Sequence, residues 1–356
     1  MRLGVFLPNW IGDVVMATPA LRSLRRLAGP KGTLLGVMRP YVADVLAGQP
    51  WFDQTILSGK NRRDAATGSA AVIEQLREAR LDRIVLLTNS LRTAWLAWRS
   101  KTPERVGVAR DLRGPLLTTK LYEPRRGRRI APLPTIDSYL QVAFVAGGPW
   151  EPPRMELATT SADEAAADQV WRKLNLPSGE EVVVLNSGGA FGAAKSWPIE
   201  HFAALAQRIV ADHGLHVLVN CGPAERDAAR QIVAQADSPQ VASLADFDVP
   251  LGLSKAAIRR ARLLVTTDSG PRFFGVAFGK PVVTLFGPTD PTLTNTHSPL
   301  EQCLSLELDC QPCWQRSCPL KHHRCLRDLT VDRVAAAVRD ALAADVCPPA
   351  PSRNVA

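Results

Sequence analysis

Apolar and polar positions follow one another along this chain in a repeating order. A short β-branched apolar run comes first, then a polar turn, then apolar residues at helical spacing. Leu3 to Leu7, Thr33 to Val37, Gln54 to Leu57 and Arg83 to Leu87 read as strands. Asp13 to Leu27, Ala70 to Arg80 and Ser90 to Arg99 read as helices. The stretch Gly147 to Pro153 breaks the order, and the interdomain connection is expected there. Alternation then restarts. Helices are expected over 162–174, 198–211 and 224–236, and strands over 182–186, 215–220 and 263–267, with a closing helix over 330–344. Two successive βα runs predict an α/β chain of two doubly wound, Rossmann-like domains facing a central cleft, 1–158 and 159–346, followed by a disordered tail over 347–356.

The densest signal lies between Leu263 and Pro291. Two short apolar runs, Leu263 to Thr267 and Val282 to Phe286, flank Asp268-Ser269-Gly270-Pro271, where Asp or Ser can cap a helix and Pro suits its first turn. Gly279-Lys280-Pro281 ends that helix, and Gly287-Pro288-Thr289-Asp290-Pro291 forms a second polar turn. Neighbouring strands would then deliver Asp268, Ser269, Thr289 and Asp290 to one sheet edge, where parallel sheets bind ligands.

Composition changes this picture in three ways. No run is apolar for long enough to span a bilayer, and the N-terminus is too quickly polar for a signal peptide, so a cytoplasmic protein is expected. The formal net charge of +9 points to an anionic partner: a phosphorylated substrate, an acidic lipid surface or nucleic acid. Nucleic acid is disfavoured, because no recognisable binding module is present. Basic residues crowd the loops at Lys60, Arg62 and Arg63, at Arg110 and Arg113, and from Arg125 to Arg129; such runs are either solvated surface or an anion-holding acceptor cleft. Finally, Cys310, Cys313, Cys318 and Cys325, with His322 and His323 among them, have the density of a structural zinc site or of free thiols packed in a loop.

Two turns carry candidate chemistry. Asp13 follows the turn Pro8 to Gly12, where it is either a helix cap or a carboxylate able to take a proton from a hydroxyl. The turn Ser187 to Pro198 (SGGAFGAAKSWP) is either a flexible surface loop or a phosphate cradle, its small residues admitting backbone N–H groups and Lys195 adding a charge. Neither domain opens with the GxGxxG of a dinucleotide-dependent oxidoreductase.

NWIGDVVMATPALRSLR at Asn9, TNSLRTAWLAW at Thr88, GGAFGAAKSWP at Gly188, TTDSGP at Thr266, FGPTDP at Phe286 and CQPCWQRSCPLKHHRCLRDL at Cys310 stand in one order. Together they make the chain resemble the bacterial lipopolysaccharide heptosyltransferases of glycosyltransferase family 9, closest to the heptosyltransferase II branch. The resemblance implies an inverting GT-B glycosyltransferase that needs no metal or other cofactor for catalysis. The implied donor is ADP-L-glycero-β-D-manno-heptose. The implied acceptor is a lipid-linked anionic glycan, the growing lipopolysaccharide inner core, at the cytoplasmic face of the inner membrane. It further implies Asp13 as base and Lys195 as stabiliser of the leaving diphosphate. Donor contacts would come from Ser187, Gly188, Gly189, Glu225, Asp268, Ser269, Gly270 and Arg272, and acceptor contacts from Asn9, Trp10, Lys60, Arg62, Arg63, Asn89, Ser90 and Arg113. One position departs from the family pattern: Phe273 stands where a His is common, so either Arg272 takes over a phosphate contact or the donor pocket differs. That departure favours a relative using another nucleotide sugar or another acceptor; a nucleotide-binding protein without turnover is the further alternative.

Overall fold

Contacts divide the chain into two units, Met1–Thr160 with Pro291–His297, and Ser161–Asp290 with the chain from Ser298 onward. The computed structural model describes residues 1–344 apart from Arg128, Pro132 and Ala190, with the backbone alone at Arg126, Arg129 and Ile130. The tail expected over 347–356 lies outside the described residues.

In the first unit, β1 (Arg2–Phe6), β2 (Thr33–Met38), β3 (Gln54–Leu57), β4 (Arg83–Leu86), β5 (Glu104–Val108) and β6 (Thr119–Leu121) form one sheet in the order β3-β2-β1-β4-β5-β6. Every pairing is parallel. The central strands are buried along their length, as strands covered on both faces must be. Helices α1 (Ile11–Met16), α2 (Thr18–Ala28), α3 (Pro40–Leu46), α4 (Ser69–Glu78) and α5 (Leu91–Arg99) make the crossovers, a short antiparallel hairpin pairs β7 (Arg125–Arg126) with β8 (Arg129–Ile130), and α6 (Thr135–Val145) packs against α2.

The helix expected over 13–27 is broken into α1 and α2. Pro19, in the first turn of α2, has no N–H to continue the α1 ladder, and the Thr18 hydroxyl donates to Val15 O at 2.7 Å across the break. The Gly147 to Pro153 stretch is stapled to α2: buried Glu151 accepts from Arg22 Nε at 2.7 Å and pairs by charge with Arg26 at 2.7 Å, and the Ser23 hydroxyl donates to Pro149 O.

The second unit repeats the plan. Strands β9 (Val182–Asn186), β10 (His216–Asn220), β11 (Val241–Ser243), β12 (Leu263–Thr267), β13 (Val282–Leu285) and β14 (Glu301–Leu304) run parallel in the order β11-β10-β9-β12-β13-β14. They carry α7 (Ser161–Lys173), α8 (Ile199–His213), α9 (Arg226–Ala236), α10 (Leu251–Arg260), α11 (Gly270–Ala277), α12 (Arg324–Arg327) and α13 (Val331–Ala344). In each unit the strand order reverses beside the first strand, between β1 and β4 and between β9 and β12. Ligands of open parallel sheets bind just outside the carboxyl ends of strands at such a switch point. Among the described residues, no helix is long and apolar enough to cross a membrane.

Candidate functional site

The carboxyl ends of β9 and β12 hold the second unit's candidate site. Asn186, the last residue of β9, is buried, and its amide donates to Gly188 O (2.9 Å) and to Ser269 Oγ (3.1 Å). Asn220, ending β10, donates to Asn186 Oδ1, and the Ser254 hydroxyl of α10 donates to Asn220 Oδ1. This buried polar chain fixes the Ser187-Gly188-Gly189 turn against the start of α11. A Cβ on Gly188 would lie 2.2 Å from Glu225 Cγ, and one on Gly189 2.8 Å from Ser269 Cβ, so only glycine lets the turn pass between these side chains.

Ser269 sits at the N-cap of α11 but makes no side-chain cap hydrogen bond, because its hydroxyl is spent on Asn186. Asp268 does not cap either. Its carboxylate accepts from Lys195 Nζ (2.5 Å), from the Thr289 hydroxyl (2.7 Å) and from Arg272 (3.3 Å), while Lys195 also donates to Asp268 O at 2.9 Å. Burial is the largest influence on Asp268 and raises its pKa. The Lys195 and Arg272 charges, with hydrogen bonds from Lys195 and Thr289, outweigh burial and hold the carboxyl below its usual range.

Lys195 ends the 3-10 turn Ala193–Lys195, and its ammonium stands 4.5 Å from the centre of the Phe191 ring. Gly192 allows that turn: its φ is 135°, and a Cβ there would meet Arg316 O at 2.6 Å. Arg316, which the sequence did not single out, places its guanidinium 5.9 Å from the Phe191 ring centre, a second cation beside Lys195. It comes from the cysteine loop, whose backbone braces both neighbouring turns: Ala194 N donates to Arg316 O (3.0 Å) and Trp314 N to Pro288 O (2.9 Å).

Cys310, Cys313, Cys318, Cys325 and His322 line a cavity of about 20 Å³ in that loop. Backbone N–H groups, led by that of His323, lower the pKa of Cys318, whereas burial and then the neighbouring thiols push Cys325 up to about 11. Among the described residues, no group of three or more His, Cys, Asp or Glu stands as a ready metal site.

Arg272 is not available to a phosphate, contrary to the expectation from sequence. It is 0% exposed, its Nε donates to Glu301 Oε1 at 2.6 Å, and the rings of Phe273 and Phe286 lie 4.9 and 4.8 Å from its guanidinium. Phe273 is itself buried, so its ring lies against Arg272 in the core. Glu225 packs against Gly188 and Gly222 at the mouth of the same turn.

In the first unit, Asp13 is the third residue of α1 and half-buried; the N-cap is Trp10, so the capping role is not the one it plays. Tyr139 of α6 hydrogen-bonds the Asp13 carboxylate. Burial pushes the Tyr139 phenol well up, and the Asp13 charge and that hydrogen bond push it further. The phenol therefore stays a donor at neutral pH. Tyr139 is separated from Asp13 by most of the unit's sequence, and no local pattern marked it.

Asn9 and Trp10 are exposed in the turn after β1. Arg39 Nε donates to Asn9 Oδ1 at 3.2 Å, and the Tyr41 hydroxyl donates to Asn9 O. Arg92 of α5, also unmarked in the sequence, has Nε and Nη2 buried without a hydrogen-bond partner, and its pKa is lowered by burial, then by Arg39 and Arg62. Three guanidinium groups thus gather beside the exposed Asn89 side of the sheet edge. Lys60, Arg62 and Arg63 are exposed. Arg113, expected among acceptor contacts, is instead 0% exposed: it donates to Val108 O, Thr88 O and Asn89 Oδ1, and so braces Asn89 from behind.

The chain matches the family model of glycosyltransferase family 9 (heptosyltransferase) over residues 69–324. The chain belongs to this family. It is a glycosyltransferase. It is 24% identical over 352 residues to lipopolysaccharide heptosyltransferase 2 of Escherichia coli, covering 94% of this chain and 96% of that one. Lipooligosaccharide heptosyltransferase 2 of Haemophilus ducreyi is 26% identical over 357 residues, 96% of this chain and all of that one. Among solved structures, the family 9 glycosyl transferase of Veillonella parvula superposes with a TM-score of 0.80 at 23% identity, covering 96% and 97% of the two chains. The E. coli ADP-heptose heptosyltransferase II gives 0.78 at 23%, covering 97% and 100%. The fold is GT-B, with two Rossmann-like units.

Tyr139→Phe tests the hydrogen bond to Asp13. Without that bond the carboxylate is less well positioned, so kcat is expected to fall about tenfold or more with donor KM unchanged. A variant in which KM alone moves would show that Tyr139 does not position Asp13.

Proposed function

We propose that this glycosyltransferase transfers a heptose from ADP-L-glycero-β-D-manno-heptose to the inner core of lipopolysaccharide, with inversion and without a metal. The observation that carries this reading is the Lys195–Asp268–Thr289 cluster beside the glycine turn of β9, in a chain of family 9. In this reading the second unit is the donor domain. Lys195, backbone N–H groups around Gly188 and Gly189, and the uncapped start of α11 at Ser269-Gly270 take the charge of the departing ADP. Ser187 and Glu225 stand at the same turn for donor contacts, Glu225 toward the adenosine ribose.

The first unit is the acceptor domain. An acceptor hydroxyl attacks the anomeric carbon as the bond to ADP breaks, and its proton passes to Asp13. Asn9, Trp10, Asn89 and Ser90 line the acceptor edge. Arg39, Arg62 and Arg92, with Lys60 and Arg63, suit an acceptor bearing phosphates or carboxylates. In this reading the acceptor is lipid-linked, and the protein works at the cytoplasmic face of the inner membrane, bound peripherally. The cysteine loop braces the turns that carry Lys195 and Pro288.

Calorimetry with ADP-heptose, UDP-sugars and GDP-sugars in the absence of added metal tests the donor half. Selective binding of ADP-heptose is expected. Preference for another nucleotide sugar would support the second reading, a relative with a changed donor pocket, for which Phe273 is the motivating observation. Binding of none would sink the donor assignment.

A further inference from the structure

The outward face of α5 carries an apolar stripe that the proposed chemistry does not use. Leu91, Trp95 and Trp98 follow one another at helical i, i+4, i+7 spacing and are 48%, 37% and 47% exposed. Leu96 and Ala97, on the other side of the helix, are buried, and so is the small Ala94 beside the stripe. The adjoining turn Gly114–Leu116 packs against α5, and Leu112, just before it, is 92% exposed. Two tryptophans and two leucines standing in water in one region are unusual for a surface that meets only solvent.

The chain segment that carries this stripe is also unevenly charged. Residues 60–126 hold 15 of the chain's 43 Lys and Arg but only 7 of its 34 Asp and Glu, a net +8 out of +9 for the whole protein. Arg99 reaches over the Trp95 ring at 5.6 Å, and Arg77, Arg80 and Lys101 line an open groove where α4 and α5 end. Of the nearby acids, Glu74 and Asp111 are already matched, to Arg77 at 3.6 Å and Arg110 at 3.3 Å.

We propose that this face of the first unit is a docking surface for an anionic phospholipid bilayer. Tryptophan suits the bilayer interface, where its ring is apolar and its N–H stays wet. Arginine and lysine beside it draw the surface to acidic headgroups, and each adds to the attraction within a Debye length. The same face offers a second copy of this chain only like charge against like, so the bilayer is the occupant that the charge selects. The surface would hold the first unit where a lipid-linked acceptor is found, and for that purpose the inference rests on the acceptor proposed above.

The test uses the full chain and acceptor-free vesicles, either phosphatidylglycerol with phosphatidylethanolamine or phosphatidylcholine alone, read by co-sedimentation. Binding to the anionic vesicles, weakened by salt, is expected. Trp95→Ser with Trp98→Ser is expected to lower partitioning about tenfold or more, Arg99→Gln with Lys101→Gln to weaken it and flatten its salt dependence, and Trp95→Phe with Trp98→Phe to retain most of it. The inference is overturned if the wild-type chain ignores anionic vesicles, if the Ser pair binds as well as wild type, or if the Ser pair changes only self-association measured by light scattering. Transfer to a delipidated, water-soluble acceptor is expected to be unchanged in the Ser pair. Loss of that transfer in the wild-type chain would sink the proposed function and leave the vesicle result standing.

Discussion

Asp13→Asn is expected to lower kcat for heptose transfer by about 10²–10⁴-fold while leaving ADP-heptose affinity unchanged. The size follows from what the substitution removes. Asn fills the same volume in the first turn of α1 and still accepts the Tyr139 hydrogen bond, so the local packing around Val14 and Val15 persists. It has no basicity, so the acceptor hydroxyl keeps its proton as it attacks. Trp10, not Asp13, holds the N-cap position, so the substitution leaves the N-cap residue in place. Steady-state kinetics with calorimetry on the same preparation checks both halves. Turnover within about threefold of wild type would exclude Asp13 as the base, and loss of donor affinity together with turnover would mean that its role is structural.

Much of the fold was legible because buried parallel strands advertise themselves. Val182–Asn186, apolar up to its closing Asn186, and Leu263–Thr267, apolar or β-branched throughout, are strands within the predicted bounds. The failures have physical reasons. Pro19 lies inside a run with good helical periodicity, and its missing N–H decided where α1 stops. β5 and β6 were missed because ERVGV and TKL are short and mixed, and they are strands only because a sheet edge pairs them. The candidate side chains that the sequence could pick out sit in or beside turns, as do Asp13, Lys195 and Asp268, and the partners that arrive from afar left no local signal. Nothing near Arg272 says that Glu301 neutralises it, so a side chain that looked free for a phosphate is a buried ion pair. Arg113 misleads in the same way, since its three acceptors include Thr88 and Asn89 on another strand's end. Tyr139, Arg39 and Arg92 were invisible because their roles depend on which side chains the sheet brings beside them.

Asp268→Asn is expected to destabilise the second unit by about 3 kcal/mol and lower its Tm by roughly 6–12 °C. The carboxylate is 6% exposed and faces Lys195 and Arg272, so its neutralisation leaves buried positive charge less compensated. Removing one partner of a buried pair costs about 3–5 kcal/mol. The low end applies here because Arg272 keeps both oxygens of Glu301, at 2.6 and 3.1 Å. The pH dependence gives an independent check. Because the folded pKa of Asp268 is lowered, its contribution is complete above the unfolded carboxylate pKa of about 3.9 and is lost as pH falls through the lower folded value. Wild-type Tm should therefore drop over that acid window more steeply than the Tm of the Asn variant. Adding Lys195→Met to Asp268→Asn removes the stranded ammonium as well, and the double variant is expected to be less destabilised than the sum of the two single changes. An Asn variant melting within about 2 °C of wild type would mean that the cluster is solvated enough to tolerate the lost charge.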